Sequence, residues 1–281
     1  MTDRRRAGLV IEGCHIILIR SCTELESEWL RVVEDVNKKP VLPVGMLPPS
    51  THEIEENTGS ELGNALEKWL DAAAPGSTVY IAFGSEVRPS REQLQELAYG
   101  VELSGLRFLL ALRSPSDEPA FLPEGLEDRT KDRGIVHGGW VPQKRILSHP
   151  SIGAFLSHGG LSSITETLAL GMPLVIFAVA ADQPLNARMI QEKKVGIEVP
   201  RNQVDGSFSR DDVAKVLRLA MLEAEGEEYR ANAKAMMKIF GDPSIHSRYM
   251  DDVVSYLKNH KRRFAIGPPT PALLSSSSSS S

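Results

Sequence analysis

The densest group of chemistry-bearing residues in the 281-residue chain is Ser157-His158-Gly159-Gly160, with Ser162 and Ser163 close behind. It follows the apolar run Ile152–Leu156 and precedes a helical pattern, so it falls where a strand turns into a helix. Two glycines let backbone N–H groups approach an anion closely, and a helix N-terminus favours negative charge. A histidine and two hydroxyls add donors. These residue types in this order suit either a phosphate cradle or an ordinary strand-to-helix turn. The pattern is neither a Walker loop nor G-x-G-x-x-G, which removes the main support for a nucleoside-triphosphatase or a nicotinamide dehydrogenase. Two more strand ends carry polar loops, Gly84-Ser85 and Ala181-Asp182-Gln183. Ligands of open parallel sheets bind outside the carboxyl ends of the strands, so the three loops together form one candidate site.

Those loops need elements to hold them. Thr78–Phe83 has a strand pattern that ends at Gly84. Ser90, with Gln93 three residues on, has the form of a capping box. Leu94, Leu97, Ala98 and Val101 follow at helical spacing, and Gly105 stops the helix. Arg107–Leu112, Gly134–His137 and Ile152–Leu156 read as strands, Ser162–Leu170 as a helix closed by Gly171, Leu174–Ala178 as a buried strand, Gln183–Glu192 as a helix and Gly196–Val199 as a strand. This alternation predicts βαβ units, an α/β class and a parallel sheet. The last third reads as helical. Ser209 and Asp212 are box-like before Val213, Val216, Leu217, Ala220 and Met221. Glu227–Phe240 is a second helix, and a third opens at Ser244 with Ile245, Tyr249 and Val253 on one side. The first fifty residues offer only the short run Cys14–Ile19, a helix over Glu24–Val33 and the extended stretch Pro40–Pro49, too little to bury a core alone.

Composition narrows the class. Apolar residues make up 41% and charged residues 25%, as in ordinary soluble globular proteins. With 32 basic against 37 acidic residues the net charge is −5, and the longest basic runs are Arg4–Arg6 and Lys261–Arg263, which argues against a nucleic-acid partner. No apolar run approaches the ~20 residues of a membrane span, and no secretory apolar region follows the basic N-terminus. Two cysteines, Cys14 and Cys22, support neither a disulfide framework nor a four-ligand zinc site; both read as buried, reduced thiols, and the chain as cytoplasmic.

Taken in order, Trp140-Val141-Pro142-Gln143, His158-Gly-Gly160, Ser163, Glu166, Gly171-Met-Pro173 and Asp182-Gln183 resemble the donor-binding box of plant UDP-dependent glycosyltransferases at that family's spacing. Arg20-Ser-Cys-Thr-Glu-Leu-Glu26, Pro43-Val-Gly45, Gly84-Ser-Glu86, Leu103-Ser-Gly105 and Val195–Arg201 extend the resemblance over roughly residues 9–262. They are most similar to the branch that adds a sugar to an already glycosylated flavonoid, terpenoid or saponin. The resemblance implies a GT-B fold of two facing Rossmann-like domains, of which this chain carries the C-terminal, donor-binding one with a remnant of the N-terminal, acceptor-binding one. The implied division is a remnant over 1–49, a linker over 50–63, the UDP-sugar domain over 64–243, a crossing helix over 244–263 and a disordered tail over 264–281.

The resemblance also implies roles. Trp140 stacks on uracil, with Val141 beside it, and Gln143 contacts the uridine. Glu166 accepts from both ribose hydroxyls. His158 donates to the diphosphate, helped by Gly160, Ser162, Ser163 and nearby N–H groups, with Ser85 on the loop near the phosphates. Asp182 and Gln183 meet the sugar hydroxyls. UDP-sugar (UDP-glucose or UDP-rhamnose) is a co-substrate, a small-molecule glycoside is the acceptor, and no metal or other cofactor is implied. Each residue also has a plainer reading: Glu166 as a capping-box partner of Ser163, Asp182 as a helix N-cap, Trp140 as core. His137, His149 and His246 read as structural or surface histidines.

Departures from the family pattern bear on sugar choice. Leu161-Ser162-Ser163 stands where the family usually has Trp-Asn-Ser, and Ala178 and Ala180 replace a proline and a bulky residue. The family's catalytic histidine lies near the start of the acceptor domain, and nothing here matches that region; His15 falls too late to be that base. No catalytic residue is therefore assigned, and the chain reads as the truncated donor half of a UDP-glycosyltransferase, inactive by itself. The alternative is a non-catalytic UDP-sugar-binding module.

Overall fold

A computed structural model of the chain describes residues 3–48, 61–84, 89–112, 122–202 and 204–260. It divides into two compact units, one made of residues 1–47 and 244–281, the other of residues 48–243.

The terminal unit begins with helix α1 (Asp3–Gly13), which the sequence reading did not foresee. Strand β1 (Ile17–Ile19) is shorter than the run from Cys14 suggested, and it pairs in parallel with β2 (Val41–Pro43). Between them lies α2 (Thr23–Asn37), four residues longer at its C-terminus than expected and closed by Lys38 in the left-handed conformation. Leu25, Leu30, Val41 and Met46 are buried here, while Trp29, Val32 and Val36 stand exposed along α2. Cys22 is buried as expected, but Cys14 is only half-buried, its thiol turned onto the Ile11 carbonyl at 3.2 Å, because it ends α1 rather than starting a strand.

The second unit opens with α3 (Glu61–Asp71), whose first turn overlaps the stretch read as linker. The elements then run β3 (Thr78–Ala82), α4 (Arg91–Ser104), β4 (Arg107–Leu112), α5 (Leu126–Thr130), β5 (Gly134–Gly138), α6 (Gln143–Leu147), β6 (Ile152–Ser157), α7 (Leu161–Ala169), β7 (Leu174–Ile176), α8 (Gln183–Glu192), β8 (Gly196–Glu198), α9 (Arg210–Met221) and α10 (Glu227–Phe240). The strands form one six-stranded, wholly parallel sheet in the order β5-β4-β3-β6-β7-β8. Every residue of β3 is buried, as expected for a central strand covered on both faces. Val79, Ile81 and Phe83 point into a core shared with α4 and α9, whereas Tyr80 and Ala82 point into a second core with Leu66, Leu70, Ile146, Leu147 and Phe155. Both capping boxes form. Ser90 and Gln93 exchange bonds of 3.2 and 3.0 Å, and Ser209 and Asp212 exchange two of 3.2 Å. From β3 the chain winds outward through β4 and β5, then returns to the other side of β3 and winds through β6, β7 and β8. The order therefore reverses between β3 and β6, which places a crevice at their carboxyl ends.

Helix α11 (Pro243–Asn259) returns to the terminal unit. His246 is buried there, its Nδ1 accepting from the Met46 N–H at 3.2 Å, and the Tyr249 hydroxyl accepts from the Thr23 N–H and donates to Glu24. Val253 is buried, whereas Met250 and Val254 remain exposed. The tail read as disordered, residues 50–60 of the linker and Ser85 lie outside the described residues.

Candidate functional site

The loops at the reversal point converge. Gly84 follows β3 with φ +68°, and a Cβ placed on it would lie 3.2 Å from the His158 ring, so the first and second loops touch. Gly159 has φ +82°, and its imaginary Cβ would sit 2.6 Å from Ile176 Cγ2 and 3.8 Å from the Gln183 carbonyl oxygen, which brings the third loop alongside. A left-handed backbone against a neighbouring side chain leaves room only for glycine. The N–H of Gly159 donates to Ser157 Oγ at 3.2 Å, and Asn186 on α8 donates to the Gly159 carbonyl at 2.9 Å.

At the phosphate-like end, α7 begins at Gly160 with extended backbone and no side-chain cap. A helix N-terminus of this kind favours an acceptor outside the helix. Ser163 is buried and Ser162 exposed on this first turn. Since Gly160, not Ser163, occupies the N-cap position, Glu166 is no capping-box partner. Glu166 instead accepts from Gln143 Nε2 at 2.9 Å, across 23 residues of sequence. Nothing short-range in the sequence signals that pairing.

The other end is a cavity of about 210 Å³ lined by Tyr80, Ala82, Gly84, Ala111, Gly139, Trp140, Val141 and Gln143. Trp140 is 55% exposed at its rim, which overturns the reading of this residue as core. Val141 is buried beneath it. The loop is held from below by α6, where Ile146 and Leu147 are buried and the Arg145 guanidinium pairs with Glu67 of α3. Gln143 is the first residue of the same helix, two positions before Arg145.

At the third loop the N-cap reading of Asp182 also fails. Asp182 holds the position before α8, but its side chain caps nothing; it is exposed and accepts from Asn186 at 3.1 Å. Gln183 is buried at 6% exposure, and its Oε1 accepts from the N–H groups of both Val179 and Ala180 at 2.9 and 3.0 Å. That oxygen is committed to shaping the loop, which includes Ala181 in the left-handed region at φ +58°. The sequence reading overlooked Asn186, although its place four residues after Asp182 on a helix is a recognisable pairing distance.

Away from the crevice, His149 bridges Ser151 and Asp71 at 2.8 and 3.1 Å before the amino end of β6. Ser151 is 1% exposed, so this row of Ser, His and Asp is a structural clamp. Among the described residues no three or more His, Cys, Asp and Glu side chains gather as a metal-binding group, and no helix is long and apolar enough to cross a membrane.

A crevice at the switch point of a parallel sheet thus has a helix N-terminus at one end and an exposed tryptophan over a cavity at the other. Residues 20–257 match the family described as UDP-glucoronosyl and UDP-glucosyl transferase, and the chain belongs to that family. It is 47% identical to UDP-glycosyltransferase 91A1 of Arabidopsis thaliana over 92% of this chain and 56% of that protein. It is 44% identical to soyasaponin III rhamnosyltransferase of Glycine max over 89% of this chain and 53% of that one. Among solved structures it is similar to a UGT transferase from Siraitia grosvenorii in complex with UDP, at 27% identity and TM-score 0.75, covering 90% of this chain and 62% of that one. It is also similar to Phytolacca americana UGT2 complexed with UDP-2fluoro-glucose and pterostilbene, at 32% identity and TM-score 0.71 over 86% and 53%. The parallel α/β sheet is that of the GT-B glycosyltransferases of this family, and the chain spans a little over half the length of the curated relatives it matches.

Proposed function

We propose that the chain is the donor-binding half of a UDP-sugar-dependent glycosyltransferase that transfers a hexosyl group to a small-molecule glycoside. The observation that carries this reading is the Gln143–Glu166 pair beside a cavity rimmed by Trp140, with the His158-Gly-Gly loop on the next strand. Trp140 offers the face on which uracil stacks. Glu166, with two acceptor oxygens, takes the ribose hydroxyls while Gln143 orients it. His158 and the first turn of α7 receive the diphosphate. Asp182, exposed, takes a sugar hydroxyl, and Gln183 contributes by its amide N–H₂, its oxygen being engaged in the loop. UDP-glucose and UDP-rhamnose are the donors proposed, and no metal or further cofactor is invoked.

In the transfer itself a base removes the proton of the acceptor hydroxyl, which attacks the anomeric carbon with inversion as UDP leaves. Donors at His158 and the α7 N-terminus stabilise the charge that develops on the leaving diphosphate. The family resemblance puts the base on an acceptor-binding half, and the relatives are longer than this chain, so on this reading these 281 residues alone bind donor without transferring sugar. The terminal unit, with a two-stranded sheet and the exposed Trp29, Val32 and Val36, fits a piece of that acceptor half. A buried free thiol at Cys22 is in keeping with a reducing, cytoplasmic setting.

Titration calorimetry of the full chain with UDP tests the reading. Trp140→Ala and Glu166→Ala should each weaken binding by about 1–3 kcal/mol, the scale of a lost stacking contact or buried hydrogen bond. A well-folded sample that binds no UDP refutes it.

A further inference from the structure

Asn186, near the start of α8, is half-buried and touches two of the converging loops at once. Its Nδ2 donates to the Gly159 carbonyl at 2.9 Å and to Asp182 Oδ2 at 3.1 Å. Both neighbours are acceptors, so the N–H₂ end of the amide must face them, one hydrogen to each. The glycine contact is the anchor. Gly159 is pinned by its φ of +82°, by Ile176 close against it and by the bond from its own N–H to Ser157 Oγ. A planar amide held there by one N–H aims the other at Asp182. Asp182 has little else to hold it. Its backbone is already helical, at φ −84° and ψ −10°, whereas a carboxylate that caps a helix sits on extended backbone. The residue is exposed, and Oδ1 makes no hydrogen bond among the described residues. An untethered carboxylate on an exposed turn samples several rotamers. The contact to Asn186, four residues on, selects one of them, with one oxygen held and the other open to a hydroxyl.

We propose that Asn186 is a positioning residue for the donor sugar. Tied to the second loop at Gly159, it holds the Asp182 carboxylate in the orientation that accepts a sugar hydroxyl, and so sets the glycosyl end of the site in register with the diphosphate end. The inference rests on the UDP-sugar reading above and adds to it a residue that acts only through Asp182. Its consequence is selective. UDP has no sugar hydroxyl for Asp182 to accept, so losing Asn186 should weaken a sugar nucleotide more than UDP. The ratio of the two affinities separates this effect from a general loosening of α8. Gln191, toward the other end of the same helix, is exposed, accepts from the Glu198 N–H at 3.2 Å and serves as the control.

Calorimetry on the full chain with UDP, UDP-glucose and UDP-rhamnose tests it, with circular dichroism to check each fold. The proteins are wild type, Asn186→Ala, Asn186→Asp, Asp182→Ala, the double variant Asp182→Ala/Asn186→Ala, and Gln191→Ala. For the sugar nucleotide that wild type binds more tightly, Asn186→Ala should lower affinity relative to UDP by about ten-fold, the factor of one hydrogen bond. Asn186→Asp keeps the shape but turns acceptors toward acceptors, and should lower the ratio at least as far. Asp182→Ala should lower it too, and adding Asn186→Ala to that variant should lower it no further, since both act on one contact. Gln191→Ala should leave it unchanged. Equal weakening of UDP and the sugar nucleotide by the Asn186 variants, or a further selective loss in the double variant, would overturn the inference and leave the nucleotide reading standing. So would Asn186 variants neither of which folds, or wild type that binds UDP but neither sugar nucleotide. Wild type that binds no UDP would remove the nucleotide reading and this inference with it.

Discussion

Gly160→Ala is a clean way to displace one side chain of the phosphate end without touching it. Gly160 has φ −66° and ψ 143°, a conformation open to alanine, so the backbone carries no strain. The added methyl, however, would lie 2.5 Å from His158 Nε2 and 3.3 and 3.4 Å from the two carbons flanking it. Ordinary contact begins near 3.5 Å, so the imidazole must retreat by about 1 Å. A hydrogen bond to a charged group contributes about 1.5–3 kcal/mol and does not survive that displacement. UDP affinity should therefore fall about 12- to 150-fold, while uridine, which lacks the phosphates, should bind as before. Global stability should drop by less than about 1 kcal/mol, because alanine is a poorer N-cap than glycine. Calorimetry with UDP and uridine, alongside urea unfolding, reads all three quantities. His158→Ala added to Gly160→Ala should cause little further loss, as both act on one contact. Equal weakening of uridine and UDP, or unchanged UDP affinity, would refute the placement of His158 at the diphosphate.

Other expectations follow from single contacts. Gln183→Ala removes two part-buried hydrogen bonds, those from the Val179 and Ala180 N–H groups, and should destabilise the chain by about 1–3 kcal/mol in urea unfolding. Burial pushes the Cys22 thiol up to about 12, so at about pH 8 almost none of it is thiolate, and alkylation followed by mass spectrometry should label Cys14 well before Cys22. The Arg210 guanidinium bonded to Glu96 holds that carboxyl below the usual carboxylate range. A depressed carboxylate contributes stability above its unfolded value of about 4.3 and loses it as pH falls through the lower folded value. Glu96→Gln should thus flatten the acid side of the stability–pH curve while leaving its neutral side parallel to wild type. Hydrogen exchange should be slowest in β3, β4, β6 and β7, each flanked by strands on both sides, and faster in the three-residue pair β1 and β2.

What could be read from the chain was what neighbours along it decide. The capping boxes at Ser90 and Ser209 formed as their spacing indicated, and β4, α8 and α10 have the bounds their apolar periods marked. Each depends on groups within one turn or one strand of one another. The reading went astray where a local rule met a distant partner. Glu166 stands three residues after a serine and so has the look of a cap, but the helix starts at Gly160 and its carboxylate is taken by Gln143. Trp140 is apolar enough for a core, yet the glycine turn before it leaves it at the rim. Asp182 precedes a helix and still caps nothing, since Asn186 draws its carboxylate aside. Helix α1 escaped because its residues show little periodic contrast between faces.

By itself the sequence determined the α/β class, the parallel sheet and the three loops at the carboxyl ends of its strands, because strand and helix periods and glycine positions are local properties. Family membership was legible for a related reason: a spaced set of residues survives in one dimension whatever it touches in three. Only the tertiary structure decided how those residues divide the work. It set Gln143 on Glu166 and turned the Gln183 oxygen inward to hold the third loop. Those outcomes depend on strand order and on which helices pack over β3 and β6. Contacts between segments tens of residues apart are fixed when the sheet assembles, and no spacing along the chain records them.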